Sequence, residues 1–195
     1  MNSYNENYKN LLKEFKIAIE SDLKALLYKD QLRYYAEMDI MTASYNRNKM
    51  EQVLVNEFER CGVSGEVFSL ALMDIDGLKK INDTFGHAKG DETLKSFSNG
   101  INSRIRTMDW FGRWGGDEFL LLCPNTGIEE MEILLKEVYK SIIKDMGKVV
   151  PNSSFCYGCA EYRKGDYDNY QELLKRADKK LYKCKEGHRK NIDRR

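Results

Sequence analysis

Apolar residues recur at Tyr8, Leu12, Phe15, Ile19, Leu23 and Leu26, within a stretch from 4 to 37 that contains neither proline nor glycine. Steps of three and four predict one long amphipathic helix. It either packs on its own domain or pairs with a second copy as a parallel coiled coil; the stripe lasts about three heptads and degrades around Asp30 and Arg33. After a break at "DIMTASYNR", a second helix is predicted from about Asn46 to Arg60, ended by Gly62 and Gly65. "EVFSLALMDID" then alternates as a strand, with Phe68, Leu70 and Leu72 on one face and Ala71 and Met73 on the other. A polar turn, "DGLKKINDTFGHAKGD", leads to a helix from about Asp91 to Arg106. "DWFGRWGGDEFLLLC" reads as two strands around a Gly-Gly turn, the paired glycines suiting the positive φ of a two-residue hairpin. A helix over 128–145, a strand in "SSFCYGCAEY" and a helix in "YQELLKRADKKLYKCKEG" closed by Gly187 complete the pattern.

Helices and strands alternate, yet the hairpin forces antiparallel pairing. The expected fold class is α+β: a mostly antiparallel central sheet flanked by helices and preceded by a long N-terminal helix. The expected division is an amphipathic helix at 1–38, a folded domain at 39–192 and a short tail at 193–195.

Composition narrows the function classes. The chain has 195 residues, 42% of them hydrophobic, enough for one real core with an appendage. Lys and Arg total 32 against 31 Asp and Glu, so bulk charge gives no support to nucleic-acid or membrane-surface binding. Runs such as "FLLLC" are too short to span a bilayer, and "MNSYNENYKN" does not read as a signal peptide. The five cysteines, an odd number in mostly apolar contexts, read as reduced thiols, and a cytoplasmic location without direct membrane insertion is expected.

The chemistry concentrates where strands stop. "RWGGDEF" sets Asp117 and Glu118 against the start of a buried strand, and "MDID" ends another strand on Asp74 and Asp76. Carboxylates in such places cost free energy unless cations or donors meet them. If the two strands are neighbours, Asp74 and Asp117 converge, and Mg²⁺ is the cation whose hard oxygen ligands they would supply. Structural salt bridges are the commoner explanation for acids of this kind.

Taken in order, "DID", "KKINDTFGHAKGDETL", "RWGGDEF" and "LLKRADKKLYKCKEGHRKN" resemble the GGDEF family of diguanylate cyclases, over roughly Asp39 to Asn191. The resemblance implies a palm-like fold, similar to nucleotidyl cyclases and polymerases, and condensation of two GTP into cyclic di-GMP with release of pyrophosphate. It implies that Asp74, Asp117 and the carbonyl of Ile75 hold two Mg²⁺ (Mn²⁺ in their place), and that Glu118 is a supporting ligand or proton acceptor. Gly115 and Gly116 would leave room for the nucleotide. Asn82 and Asp91 match the guanine readers, Asp91 taking N1–H and the exocyclic amine; alternatively Asp91 caps a helix beginning near Gly90. Lys79, Lys185 and Arg189 match phosphate contacts, against a plain reading as solvated bases at a helix end. The "DGLKK" loop would add backbone N–H groups. Arg106 and Asp109, in "RTMD", resemble an inhibitory product site, although Glu137 stands near where a second arginine is sought.

Departures from the family pattern are Ala43 and Ser44 in place of Gly-Leu, Leu78 in place of an aromatic, and "FCYGCA" in the late strand. His87 reads as structural. Cys156-x-x-Cys159 followed by Cys184 and His188 has loosely zinc-like spacing, but strand positions three apart face opposite sides, so zinc is not expected. The implied partners are GTP, cyclic di-GMP as product and inhibitor, a second copy joined through the N-terminal helix or through GTP-bridged half-sites, and an unseen sensor domain or protein. The competing function is a catalytically weak or inactive domain that binds GTP or cyclic di-GMP as a regulator. A cyclase using adenine would want a small neutral side chain where Asp91 stands.

Overall fold

A computed structural model describes the backbone of residues 2–192 and the side chains of residues 11–188. Its elements are α1 (Asn2–Glu37), β1 (Met38–Asp39), β2 (Ser44–Tyr45), α2 (Arg47–Ser64), β3 (Phe68–Ile75), α3 (Leu78–Phe85) and α4 (His87–Asn102). They continue with β4 (Trp110–Arg113), β5 (Glu118–Pro124), α5 (Ile128–Val149), β6 (Phe155–Tyr162) and α6 (Tyr170–Ile192). The chain divides into two units, Met1–Glu37 and Met38–Arg195. The first is α1 alone, with Leu12, Phe15, Ile19, Leu23 and Leu26 all exposed. The expected tail at 193–195 and the side chain of Tyr8 lie outside the described residues.

In the second unit the strand order is β1-β2-β4-β5-β3-β6. All neighbours are antiparallel except β2 and β4, which meet in parallel at Tyr45 and Gly112. Central β3 is buried along its whole length, paired with β5 on one side and β6 on the other. Its alternation decides both layers. Phe68, Leu70 and Leu72 join one core with Met50 and Leu54 of α2 and Leu173, Ala177 and Leu181 of α6. Ala71, Met73 and Ile75 join the other, with Leu94, Phe97 and Ile101 of α4 and Leu135, Ile142 and Met146 of α5. Phe97 centres that second core, its ring 4.9 Å from both Phe119 and Phe155.

Several local expectations need correction. The polar turn after β3 contains a helix, α3, which buries Leu78 and Ile81 and is separated from α4 only by Gly86, at φ +85°. Helix α4 therefore begins at His87, not Asp91, and ends at Asn102. The Gly-Gly hairpin is not a two-residue turn: residues 114–117 connect β4 to β5, and neither Gly115 nor Gly116 has positive φ. Donation from Trp114 N and Gly115 N to the Glu118 carbonyl shapes that loop instead, at 2.8 and 3.2 Å. Helix α6 runs through Gly187 to Ile192, and α5 runs to Val149. Helix α2 reaches Ser64 and stops at Gly65, a left-handed cap at φ +78°.

The segment between β1 and α2 is tightly bonded. Asp39 Oδ1 accepts from Thr42 N at 2.9 Å and Thr42 Oγ1 at 2.8 Å, and Ser98 Oγ donates to the Thr42 carbonyl at 2.8 Å. Ala43, which stands where the resembled family has glycine, sits at φ +51°. A Cβ in that left-handed region costs about 1 kcal/mol. Ala43→Gly is therefore expected to stabilise the protein by about 0.5–1 kcal/mol, raising its melting temperature by about 1–4 °C. A calorimetric melt unchanged or lowered by the substitution would show that the position is not strained.

Candidate active site

Strand register builds the acidic corner. Asp74, the penultimate residue of β3, lies directly opposite Glu118, the first residue of β5. Both project to the α6 side of the sheet, because Leu72 and Leu120, each two residues away on the same face, are packed there. Asp117 completes the group from the loop, its carbonyl accepting from Ile75 N at 3.2 Å. Ile75 ends β3 and is tied to that loop through its N–H.

Asp74 is 5% exposed. Its Oδ2 lies 2.6 Å from Lys185 Nζ, on α6. Burial pushes the Asp74 carboxyl up to about 6; the Lys185 ammonium opposes that shift, while Asp117 and Glu118 add to it. Burial alone would lower Lys185, but Asp74 and then the other two acids hold its ammonium above the ordinary value. Among the described residues, three carboxyl groups thus face one ammonium. An excess of hard oxygen donors, incompletely neutralised and partly buried, is a donor set that suits divalent cations such as Mg²⁺.

The loop leaves space beside the acids. A Cβ built on Gly116 meets nothing within 4 Å, whereas one on Gly115 meets Glu118 Oε2 at 3.0 Å. Arg113, which sequence reasoning did not single out, anchors this loop. Its Nη2 and Nε donate to the Gly116 carbonyl at 2.6 and 3.0 Å, and its Nη1 lies 3.3 Å from Asp39 Oδ2. Burial alone would raise Asp39, but Thr42 and Arg113 hold its carboxyl below the usual value. Trp114 is fixed from the other side by the Arg47 guanidinium, 5.1 Å from its ring centre. A cavity of about 240 Å³ beside Glu118 is lined by Trp114, Lys175 and Asp178. An acid-rich loop following a guanidinium is a signal that could have pointed to Arg113; nothing in the spacing pointed to Lys175 or Asp178.

Helices α3 and α4 carry the remaining sequence-predicted residues. Gly77, at φ +65°, starts α3 without a side-chain cap, leaving its first-turn N–H groups to solvent or to an anion. Lys79 is exposed on that helix. Asn82 reaches α4 at Gly90, where a Cβ would lie 1.8 Å from Asn82 Oδ1. Asp91 is exposed in the second turn of α4, so it does not cap that helix. His87, read as structural, is exposed at the helix start. The side chain of Arg189 lies outside the described residues.

Arg106 and Asp109 are not part of this corner, standing at the opposite end of β4 from the 114–117 loop. Arg106 is exposed, but Asp109 is buried and its Oδ2 closes a turn by accepting from Arg106 N at 2.8 Å.

With that geometry in view, comparison with known proteins is decisive. The family model "Diguanylate cyclase, GGDEF domain" matches residues 36–191. The chain belongs to the diguanylate cyclase GGDEF family. The probable diguanylate cyclase DgcC of Escherichia coli is 31% identical over 91% of this chain and 48% of its own length. The chain thus spans about half the length of the curated relatives it matches. Among solved structures, the coiled coil and GGDEF domain of DgcB from Caulobacter crescentus, in complex with c-di-GMP, shares the fold. Its TM-score is 0.80 at 24% identity, covering 91% of this chain and 95% of that one. The diguanylate cyclase SiaD from Pseudomonas aeruginosa, solved with its activator SiaC, has a TM-score of 0.70 at 30% identity, covering 95% and 73%. This GGDEF chain has no described helix long and apolar enough to cross a membrane.

The corner makes a pH-dependent prediction for the metal-free domain. The folded value for Asp74, about 6, lies above the ordinary 3.8, so its folding penalty is absent below 3.8 and complete above 6. Asp74→Asn is therefore expected to melt above the parent at about pH 7. The gap should shrink as pH falls through 6 and close near 3.8. A gap that does not change with pH would mean that the ionised carboxylate carries no burial cost.

Proposed function

We propose that this domain condenses two GTP molecules into cyclic di-GMP and pyrophosphate, each protomer of a dimer holding one nucleotide. The observation that carries the reading is the excess of three carboxyl groups over one ammonium at Asp74, Asp117, Glu118 and Lys185. It is supported by the family membership and by the activity named for the relatives.

Asp74, Asp117 and the Ile75 carbonyl would hold two Mg²⁺, or Mn²⁺, per site. When bound, the cations would neutralise triphosphate charge, make the 3′-hydroxyl a better nucleophile and stabilise the leaving pyrophosphate. Lys185, a mobile point charge, would exchange Asp74 for a phosphate oxygen once Asp74 turns to a cation. The uncapped first turn of α3 and Lys79 would meet phosphates on another side, with Arg189 as a further contact. Glu118 would support a cation or accept the proton from the hydroxyl.

Asp91 would select guanine by accepting from its N1–H and exocyclic amine, a donor pair that adenine lacks, with Asn82 beside it. Open space at Gly116 would let the nucleotide approach the loop backbone. Arg106 would grip a product phosphate in an inhibitory role; Asp109, already committed to its turn, would have to release Arg106 N to take a guanine.

One half-site cannot close the ring, so two protomers must face each other. The exposed stripe of α1 would pair two copies and align them, and an activating protein or sensor domain would act through it. The complex of SiaD with its activator is a precedent for such control.

Incubation with GTP and Mg²⁺, followed by chromatography and mass analysis, is expected to yield cyclic di-GMP from the parent and none from Asp117→Ala. Asp91→Asn should lower kcat/KM for GTP by about 10- to 100-fold. Tight GTP binding without any product would instead favour the regulatory alternative. Removing residues 1–30 should reduce both the dimer fraction in sedimentation and the turnover per protomer; an unchanged pair of values would remove α1 from the mechanism.

A further inference from the structure

Strand β6 does separate Cys156 from Cys159, which lie in opposite cores. What the spacing does not reveal is that α6 brings two other groups onto Cys156. Cys184 and His188, four apart, share one face of that helix. One ligand atom from each of Cys156, Cys184 and His188 lies within 4.8 Å of the others. Cys156 Sγ is 3.3 Å from His188 Nδ1, and Asp76 Oδ2 is 2.7 Å from the same nitrogen. Asp76 is itself held: its Oδ2 accepts from Ser154 Oγ at 2.5 Å, and its N–H donates to the Ser154 carbonyl at 2.9 Å.

We propose that Cys156, Cys184 and His188 bind one divalent cation of the zinc type, the cation displacing Asp76 from the His188 Nδ1 that faces Cys156. Two sulfurs and one imidazole nitrogen are a donor set that borderline and soft cations prefer. Thiolates on tetrahedral zinc stand about 3.8 Å apart, so closing the present arrangement needs about 1 Å of side-chain movement. Binding releases two thiol protons to solvent, and the two thiolates balance the dication, leaving a neutral centre where a bare charge would be costly.

Access comes from a cavity of about 870 Å³ beside the cluster, which has Tyr139, Tyr157, Cys184 and His188 in its walls. The fourth coordination position falls to water or to a small ligand admitted there. Mg²⁺ is not a competitor, because it demands oxygen. Nor do these residues form a nucleophilic relay. Cys156 and Asp76 face the same ring nitrogen, whereas a relay places nucleophile and acid on opposite nitrogens. Cys156 is also fully buried, and burial holds its thiol well above the usual range.

The test is a titration of the reduced, metal-freed full chain with Co²⁺ in excess Mg²⁺. One equivalent is expected to produce thiolate-to-cobalt charge-transfer absorption together with the visible bands of tetrahedral cobalt, and Zn²⁺ should abolish both. Cys184→Ser and His188→Ala should each weaken cobalt binding by about tenfold or more, with Cys184→Ser also diminishing the charge-transfer band. Asp76→Asn should keep the thiolate-to-cobalt charge-transfer band, since both sulfurs and the imidazole remain. Asp117→Ala should leave the titration unchanged, which separates this centre from the carboxylate corner and from the cyclase reading. Cys184 and His188 are only half-buried, so both variants should retain the fold, as thermal melts will verify. Absence of a charge-transfer band, a band unaffected by Cys184→Ser, or the weak spectrum of six-coordinate cobalt would overturn the proposal.

Discussion

Too many carboxyl groups meet at one end of the sheet, and the rest of the domain is arranged around that fact. The antiparallel register from Phe68↔Pro124 to Asp74↔Glu118 leaves no freedom: any shift that separated the two acids by one residue would turn every apolar side chain of β3 to the wrong core. The hydrophobic pattern therefore enforces the electrostatic conflict. Lys185 relieves a third of it. The two remaining carboxyl groups, Asp117 and Glu118, are half-buried, so solvent screens part of the imbalance and leaves them open to a cation. The same pairing that builds the core thus sets the acids side by side.

Lys185 can reach Asp74 only because α6 lies very close to the sheet. At Gly158 a Cβ would stand 2.2 Å from the Ala177 carbonyl oxygen and 2.3 Å from Leu181 N. Glycine on β6 is thus what lets the α6 backbone approach, and Leu173, Ala177 and Leu181 seal the contact on either side. From that contact the helix continues one turn to Cys184 and Lys185. Arg113 does the equivalent work across the sheet, tying the 114–117 loop to Asp39 and hence to the bonded segment that includes the strained Ala43. Two remote contacts hold the acidic corner from opposite sides, one steric and one ionic.

How much of this was readable from the residues depended on the range of the interaction. The alternation of Phe68, Leu70 and Leu72 against Ala71 and Met73 is local, and both cores follow it. Helix α3 escaped notice because it is only eight residues long between two glycines, so Leu78, Ile81 and Phe85 give just two helical steps among Lys, Asn, Asp and Thr. The glycine pair misled because neither residue adopts positive φ; a Cβ would crowd Glu118 at Gly115 and meet open space at Gly116, which a sequence cannot distinguish from a need for positive φ. The acids were visible as motifs, but their convergence was conditional on β3 and β5 being neighbours. The pairing of Lys185 with Asp74, 111 positions earlier, and of His188 with Asp76, 112 positions earlier, depends on the close approach at Gly158. No spacing rule carries information over that distance.

Cys184 and Lys185 stand side by side on α6. Lys185 meets Asp74 near the end of β3, and His188, one turn further along α6, meets Asp76 just beyond that strand. A cation held by Cys156, Cys184 and His188 would clamp the helix turn from which Lys185 projects. Lys185 would keep its own side-chain rotations but lose those that come from fraying of the helix end. Its exchange between Asp74 and a phosphate would then occur from a fixed base. That arrangement favours the exchange when the ammonium, swung about its four-carbon stem, reaches both oxygens, and opposes it when the helix must move. A sulfur-ligated cation would therefore act on the carboxylate corner through helix position and not through charge, since two thiolates already balance it.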